Sequence, residues 1–292
     1  MSMEKVRIDY ESQILHRATY YNVWLPPQPA GKPLLIFLHG WGALPEEPFL
    51  VQAAECLAQV GLLSPAILFP WGFGAQECSE WKDHWDGSLC LETSLVQETI
   101  PDAERRFGLD GRARSRMICG ASMGGFGAIN LALHHQELFC SCVALSPVDV
   151  KNDMKLSEPE ELFSQAHVEL FPSLAGMSMR DSEERVWGPL PESTEHRIHN
   201  SPWHYVEKDP SLSFALSFDC GDGGFPEELM IPSILDFHAK LLSLRLPHAF
   251  EQYHGGHCES ATLEGYCAKL AFMYSAWNRA VRREDEARGD TA

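Results

Sequence analysis

The sequence has no C-x-x-C pair, no apolar run long enough to cross a bilayer, no phosphate-cradling glycine loop and no surplus of basic residues. Each absence removes a class of function. Without paired spacings, the nine cysteines form neither a zinc ribbon nor a dithiol redox centre. Their odd number and scatter, with Cys119, Cys140 and Cys142 in apolar stretches, predict reduced core thiols and a cytoplasmic protein. Met1 to Tyr20 lacks the apolar segment and small-residue cleavage site of a secretory signal. A formal net charge of −18 would repel phosphate backbones and anionic lipid, which argues against nucleic acid and membrane partners. No dinucleotide fingerprint is present. His84, His196, His199 and His204 show no helical ligand spacing backed by a third ligand, so no metal and no cofactor are expected.

What is present is an alternation of short apolar runs with helical patterns. Lys5–Tyr10 and Arg17–Leu25 read as two strands of an edge hairpin, the second stopped by Pro26-Pro27. Pro33–Leu38, Pro65–Phe69, the run ending at Cys119, Phe139–Leu145, Leu212–Phe218 and Ala249–Tyr253 read as further strands. Helices are expected over Pro48–Val60, Leu89–Phe107, after Ser122, over Glu227–Leu244 and from about Ser260 to Val281. The pattern predicts one α/β domain over 1–281, with a mostly parallel central sheet and helices on both faces. The stretch from Asp149 to Ser201 breaks the alternation and reads as a cap-like insertion of about 150–200. The charged tail 282–292 reads as frayed.

The chemistry concentrates in Gly120-Ala121-Ser122-Met123-Gly124-Gly125, between a strand and a helix. A serine at the apex of such a G-x-S-x-G turn is held above the sheet edge. Bulk at Gly120 or Gly124 would collide with its neighbours. A serine nucleophile needs a base, and the base needs an orienting acid. His257 follows the last strand in Tyr253-His254-Gly255-Gly256-His257 and is the candidate base, with His254 its local competitor. For the acid, Asp222 in Asp219-Cys220-Gly221-Asp222-Gly223-Gly224 is the first candidate, Asp219 the second and Asp149 the third. An oxyanion hole would draw on the N–H of Met123 and that of Trp41 in His39-Gly40-Trp41-Gly42, with Gly42 second. His39 reads as a brace for that loop. The tryptophans Trp71, Trp81, Trp85, Trp187 and Trp203 fall near the expected mouth, where at least half read as covering the core edge.

Several passages together resemble one family of α/β-hydrolases. They are Tyr21-Asn22-Val23-Trp24-Leu25-Pro26, Phe37-Leu38-His39-Gly40, the run from Leu95 through Gly120–Ala128 to Leu145-Ser146-Pro147, and Gly255-Gly256-His257. The family comprises esterase D (S-formylglutathione hydrolase), feruloyl esterases and mycolyltransferases. The resemblance implies an α/β-hydrolase fold and a cofactor-free Ser-His-Asp esterase acting on a small-molecule ester. It also exposes a departure: where family members place the triad aspartate, this chain has Gly224. The expected activity is cleavage of a carboxylic ester, a short acyl ester or thioester, through an acyl-enzyme. Acyl transfer from the same intermediate and a non-catalytic binding protein on the same fold are the alternatives.

Overall fold

The computed structural model describes residues 2–62, 64–73, 79–112, 115–148, 150–151 and 185–288. Eight strands form one sheet: β1 (Glu4–Ser12), β2 (Arg17–Leu25), β3 (Leu34–Leu38), β4 (Ala66–Pro70), β5 (Arg116–Ala121), β6 (Phe139–Leu145), β7 (Ala215–Cys220) and β8 (His248–Gln252). Their spatial order is β1-β2-β4-β3-β5-β6-β7-β8. The β1–β2 hairpin pairs antiparallel and closes one edge, as its alternating sequence predicts. From β4 to β8 every neighbouring pair is parallel.

The helices are α1 (Pro48–Gln59), α2 (Leu91–Ser94), α3 (Ile100–Phe107), α4 (Met123–His134), α5 (Thr194–His199), α6 (Pro202–Lys208), α7 (Glu227–Ser243) and α8 (Leu263–Arg288). Strands β3 to β6 are buried along almost their whole length, because helices cover both faces. Alternate residues go to opposite sides. Leu34, Ile36 and Leu38 meet the layer containing α4 and α7, whereas Leu35 and Phe37 meet the layer of α1 and α8. Each such buried aliphatic or aromatic side chain contributes about 2 kcal/mol.

Three elements differ from their sequence pattern. The helix expected over Leu89–Phe107 carries a wide turn at Leu95–Thr99 between α2 and α3. That turn precedes Pro101, which has no N–H to give to a regular helix. Strand β7 starts at Ala215 rather than Leu212. The preceding Ser213 is instead tied to Gln136, its N–H to the amide oxygen at 2.9 Å and its hydroxyl to the carbonyl at 2.8 Å. The last helix continues through Arg288 rather than stopping at Val281, and Arg112 reaches Asp285 at 3.7 Å. Residues 289–292 lie outside the described residues, as do residues 152–184 of the expected insertion. No described helix is long and apolar enough to cross a membrane.

The parallel strands all point their carboxyl ends to one edge of the sheet. His39, Ser122, Ser146, Gly221 and Tyr253 each follow the end of a strand there. Loops at this edge are where open α/β sheets place their ligands.

Candidate active site

Ser122 sits between β5 and α4 at φ 58°, ψ −121°, a conformation that costs a non-glycine residue about 1–3 kcal/mol. The neighbouring glycines make it possible. A Cβ on Gly120 would stand 2.0 Å from the Gly124 oxygen, and one on Gly124 would stand 1.9 Å from the Leu38 oxygen. Three backbone segments therefore touch directly, and the serine is forced to the apex. Its N–H donates to the Leu145 carbonyl at 2.9 Å, and its own carbonyl accepts from Phe126 and Val148. The turn is thus fastened to β6 on one side and to α4 on the other.

His257 follows β8 on a loop that runs against the loop after β7. A Cβ on Gly221 would lie 2.2 Å from the Gly255 oxygen, so the two backbones are in contact. The imidazole is 19% exposed, and its Nδ1 lies 2.5 Å from Oε2 of Glu227. Glu227 is the first residue of α7 and is fully buried. Its other oxygen accepts the Gly221 N–H at 2.6 Å and the Ser146 hydroxyl at 2.9 Å. Burial alone would push this carboxyl up. The bond to His257, the Gly221 N–H and the Ser146 hydroxyl outweigh it and hold Glu227 below the usual carboxylate range. The amino end of α7 adds a favourable dipole. For the imidazole, burial pulls downward, but Cys258 and Glu227 together raise it well above the usual histidine value of 6.5.

The Ser122 turn and the His257 loop are joined through Leu145 and Ser146. The Leu145 carbonyl that takes the Ser122 N–H also takes the Cys258 thiol at 3.8 Å, and the Cys258 N–H donates to the Ser146 hydroxyl at 3.1 Å. One corner of β6 therefore carries the serine turn, the histidine loop and, through Ser146, the carboxylate.

The carboxylate that meets His257 differs from the one expected from the sequence. Asp222 is not brought to His257. Its carboxylate binds His254 Nδ1 at 2.8 Å and the Gly255 N–H at 3.1 Å. That pair lies in solvent, with the His254 side chain 99% exposed and Asp222 45% exposed. The reason is the reach of the loop: Gly221 is pinned between Glu227 and Gly255, and Asp222 projects outward beyond it. His254, the competing base, is likewise occupied on the surface. Asp219 is also engaged elsewhere. It pairs with Lys269 at 2.8 Å, accepts the Ser260 hydroxyl at 2.8 Å and takes the Ser146 N–H at 3.0 Å. Asp149 lies outside the described residues. Glu227 escaped the sequence reading because an acidic residue after Pro226 at a helix start reads as a helix-dipole partner. Its signal was its place, a few residues after the end of β7 and on the His257 side of the sheet.

Of the two expected oxyanion donors, one directly follows Ser122 and the other follows Gly40, which packs against it. Met123 opens α4, and the first N–H groups of a helix have no acceptor within it. Trp41 follows Gly40, whose Cα carries no side chain because a Cβ there would lie 3.3 Å from that of Ser122. His39 is buried and braces this loop, as expected. Its Nδ1 donates to the Gly40 carbonyl at 2.8 Å while Nε2 accepts the Gly72 N–H at 3.0 Å. The two bonds fix one neutral tautomer, and burial pulls the imidazole down to about 4. Within a peptide plane the N–H points opposite to the C=O. Pinning the Gly40 carbonyl therefore turns the Trp41 N–H away from His39. Trp81 completes the brace by donating from Nε1 to the His39 carbonyl at 3.0 Å.

Trp81 and Trp187 are wholly buried and belong to the core. Trp71 stacks on Tyr20 with ring centres 5.5 Å apart, and Trp203 carries the Lys240 ammonium 3.6 Å above its ring. Trp85 stays 41% exposed. The histidines considered as metal ligands make ordinary polar contacts. His196 lies 2.7 Å from the Lys82 ammonium, and His204 lies 2.9 Å from the Ser201 hydroxyl. Among the described residues, no cluster of three or more His, Cys, Asp or Glu has the geometry of a metal site.

Residues 12–257 match the family model described as "Putative esterase". No curated protein sequence matches the chain. Solved structures share its fold. An S-formylglutathione hydrolase from Agrobacterium tumefaciens is 17% identical, with a TM-score of 0.70 over 94% of this chain and 96% of that one. A ferulic acid esterase is 21% identical, with a TM-score of 0.67 over 95% and 99%. FphF, a fluorophosphonate-binding serine hydrolase of Staphylococcus aureus, is 20% identical, with a TM-score of 0.67 over the same shares.

Proposed function

From a chain that belongs to this esterase family of α/β-hydrolase-fold serine ester hydrolases, we infer a mechanism in which Ser122, His257 and Glu227 form the catalytic triad. The observation that carries it is the pairing of buried Glu227 with His257, joined to the Ser122 turn through Leu145 and Ser146. Ser122 Oγ attacks the acyl carbon as His257 Nε2 takes its proton. Nδ1 stays bound to Glu227, which fixes the tautomer and stabilises the imidazolium. The N–H groups of Met123 and Trp41 receive the developing oxyanion, each contributing about 3 kcal/mol. The proton then passes from His257 to the departing alcohol or thiol. Water, activated by the same imidazole, releases the acid from the Ser122 ester.

Short acyl esters or thioesters are the substrate class in this reading, and no cofactor takes part. A cytoplasmic location belongs to the same reading, supported by the free state of the cysteines among the described residues. The test is a series of p-nitrophenyl esters and acyl thioesters of increasing chain length, assayed with wild type and Ser122→Ala. Turnover of the short members and its loss in Ser122→Ala are expected. Equal turnover by both proteins would remove Ser122 from the mechanism. Added alcohol that diverted most of the acyl group into a new ester would favour acyl transfer.

A further inference from the structure

Ser146 is an unusual place for a serine. It directly follows β6, fully buried, at φ 40°, a left-handed conformation that a side chain rarely adopts. Its hydroxyl meets three partners from three separate segments. It donates to Glu227 Oε1 at the start of α7, accepts the N–H of Cys258 beside His257, and lies 3.0 Å from the Tyr253 hydroxyl at the end of β8. Tyr253 in turn donates to the Gly256 carbonyl at 2.9 Å, one residue before the base. The Ser146 N–H is anchored on Asp219, which Lys269 and Ser260 hold from the far side.

Resting on the triad reading above, we propose that Ser146 is a positioning residue whose hydroxyl sets both the register and the basicity of the Glu227–His257 pair. A carboxylate shares its charge between two oxygens. The Ser146 proton on Oε1 draws charge away from Oε2, the atom that faces His257. The same oxygen, by accepting the Cys258 N–H, holds the histidine loop at the distance this pair requires. The strained backbone fits the assignment, since the left-handed turn is what aims the short side chain back at Glu227.

The groups facing the pair are few. Tyr253 and Cys220 are each pushed up to about 12 by burial and stay protonated through the working range. Asp219 is paired with Lys269, and Cys258 is present in every protein compared. A change in the titration of His257 therefore reports the loss of the Ser146 hydroxyl together with the Cys258 backbone contact it holds.

The experiment compares wild type, Ser146→Gly and Ser146→Ala. Glycine tolerates φ 40° and relieves the strain, whereas alanine keeps it, so the two variants separate stability from hydrogen bonding. The first readout is the pH titration of the His257 ring protons in free enzyme, using isotope-labelled histidine and assignment by His257→Gln. The second is the pH dependence of kcat and KM on an activated ester. Both variants are expected to move the His257 titration and the acid limb of kcat to higher pH by roughly half a unit or more. kcat should fall about tenfold with KM nearly unchanged. A folded Ser146→Gly protein whose His257 titrates as in wild type would overturn the proposal. A shifted titration in a wild-type background that turns over no ester would keep the role of Ser146 and contradict the hydrolase mechanism instead.

Discussion

At Glu227 a carboxylate stripped of water remains charged because two donors meet one oxygen and an imidazole meets the other. Replacing it by Gln removes the charge and presents an amide donor to Nδ1, which favours the wrong tautomer. Glu227→Gln should lower kcat/KM by about a thousandfold or more, as expected for a triad acid. Asp222→Asn, which touches only an exposed histidine, should stay within about twofold of wild type. Steady-state kinetics on one activated ester compares the two. The sign of the pH dependence follows from His257. The imidazole must be neutral to accept the Ser122 proton, and its partners hold the proton on. The acid limb of kcat/KM should therefore have its midpoint alkaline of 6.5, and a pH–rate profile measures it. At His39 the donor on Nδ1 is what orients the Gly40–Trp41 peptide. His39→Leu should lose about a hundredfold in kcat, and His39→Asn, which places an N–H near the position of Nδ1, should recover part of it.

The elements around the site are held by a second set of polar ties. Glu92, in the first turn of α2, accepts from His134 and His135 at the end of α4, both at 2.9 Å. His134 also donates from Nε2 to the His199 carbonyl of α5 at 3.0 Å and stacks on the His199 ring. With both ring nitrogens donating, His134 is an imidazolium. Burial pulls it down, but Glu92 raises it above 6.5. Burial would push Glu92 up, but the two histidines bring it down to about 2. The raised histidine stabilises the fold fully below 6.5, and that contribution is lost as pH rises through its folded value. The lowered carboxylate stabilises it above 4.5, and that contribution is lost as pH falls towards 2. Glu92→Gln should therefore lower stability by about 2 kcal/mol, most strongly between these limits. Thermal melts of both proteins from pH 4 to pH 9 check the size and the window. The strand-turn-helix at Ser122 was legible because glycines at fixed offsets leave few other solutions. The ends of β7 and of the Leu89–Phe107 helix were not, because the tether of Ser213 to Gln136 and the wide turn before Pro101 are settled by tertiary contacts and local crowding.

Across the whole molecule, the order of strands puts Ser122, Glu227 and His257 on one edge of the sheet although they lie far apart in the chain. Alternation of apolar runs with helical patterns was enough to anticipate that sheet, its edge hairpin and the site at its carboxyl end. His257 was singled out from its loop and chain order, and the structure pairs it with a carboxylate. That carboxylate was not singled out. Which of several carboxylates reaches His257 depends on how the loops after β7 and β8 pack, and Gly221 against Gly255 is a contact no periodicity reports. An activated Ser122 whose base is oriented by Glu227 is the proposal on which the mechanism turns. Intact-mass labelling with a small fluorophosphonate, on wild type, Ser122→Ala, Glu227→Gln and Asp222→Asn, tests it without a guess about substrate. One label per chain is expected in wild type and none in Ser122→Ala, with labelling much slower in Glu227→Gln and unchanged in Asp222→Asn. Folded wild-type protein that takes no label, or slowing in Asp222→Asn with none in Glu227→Gln, would contradict that proposal.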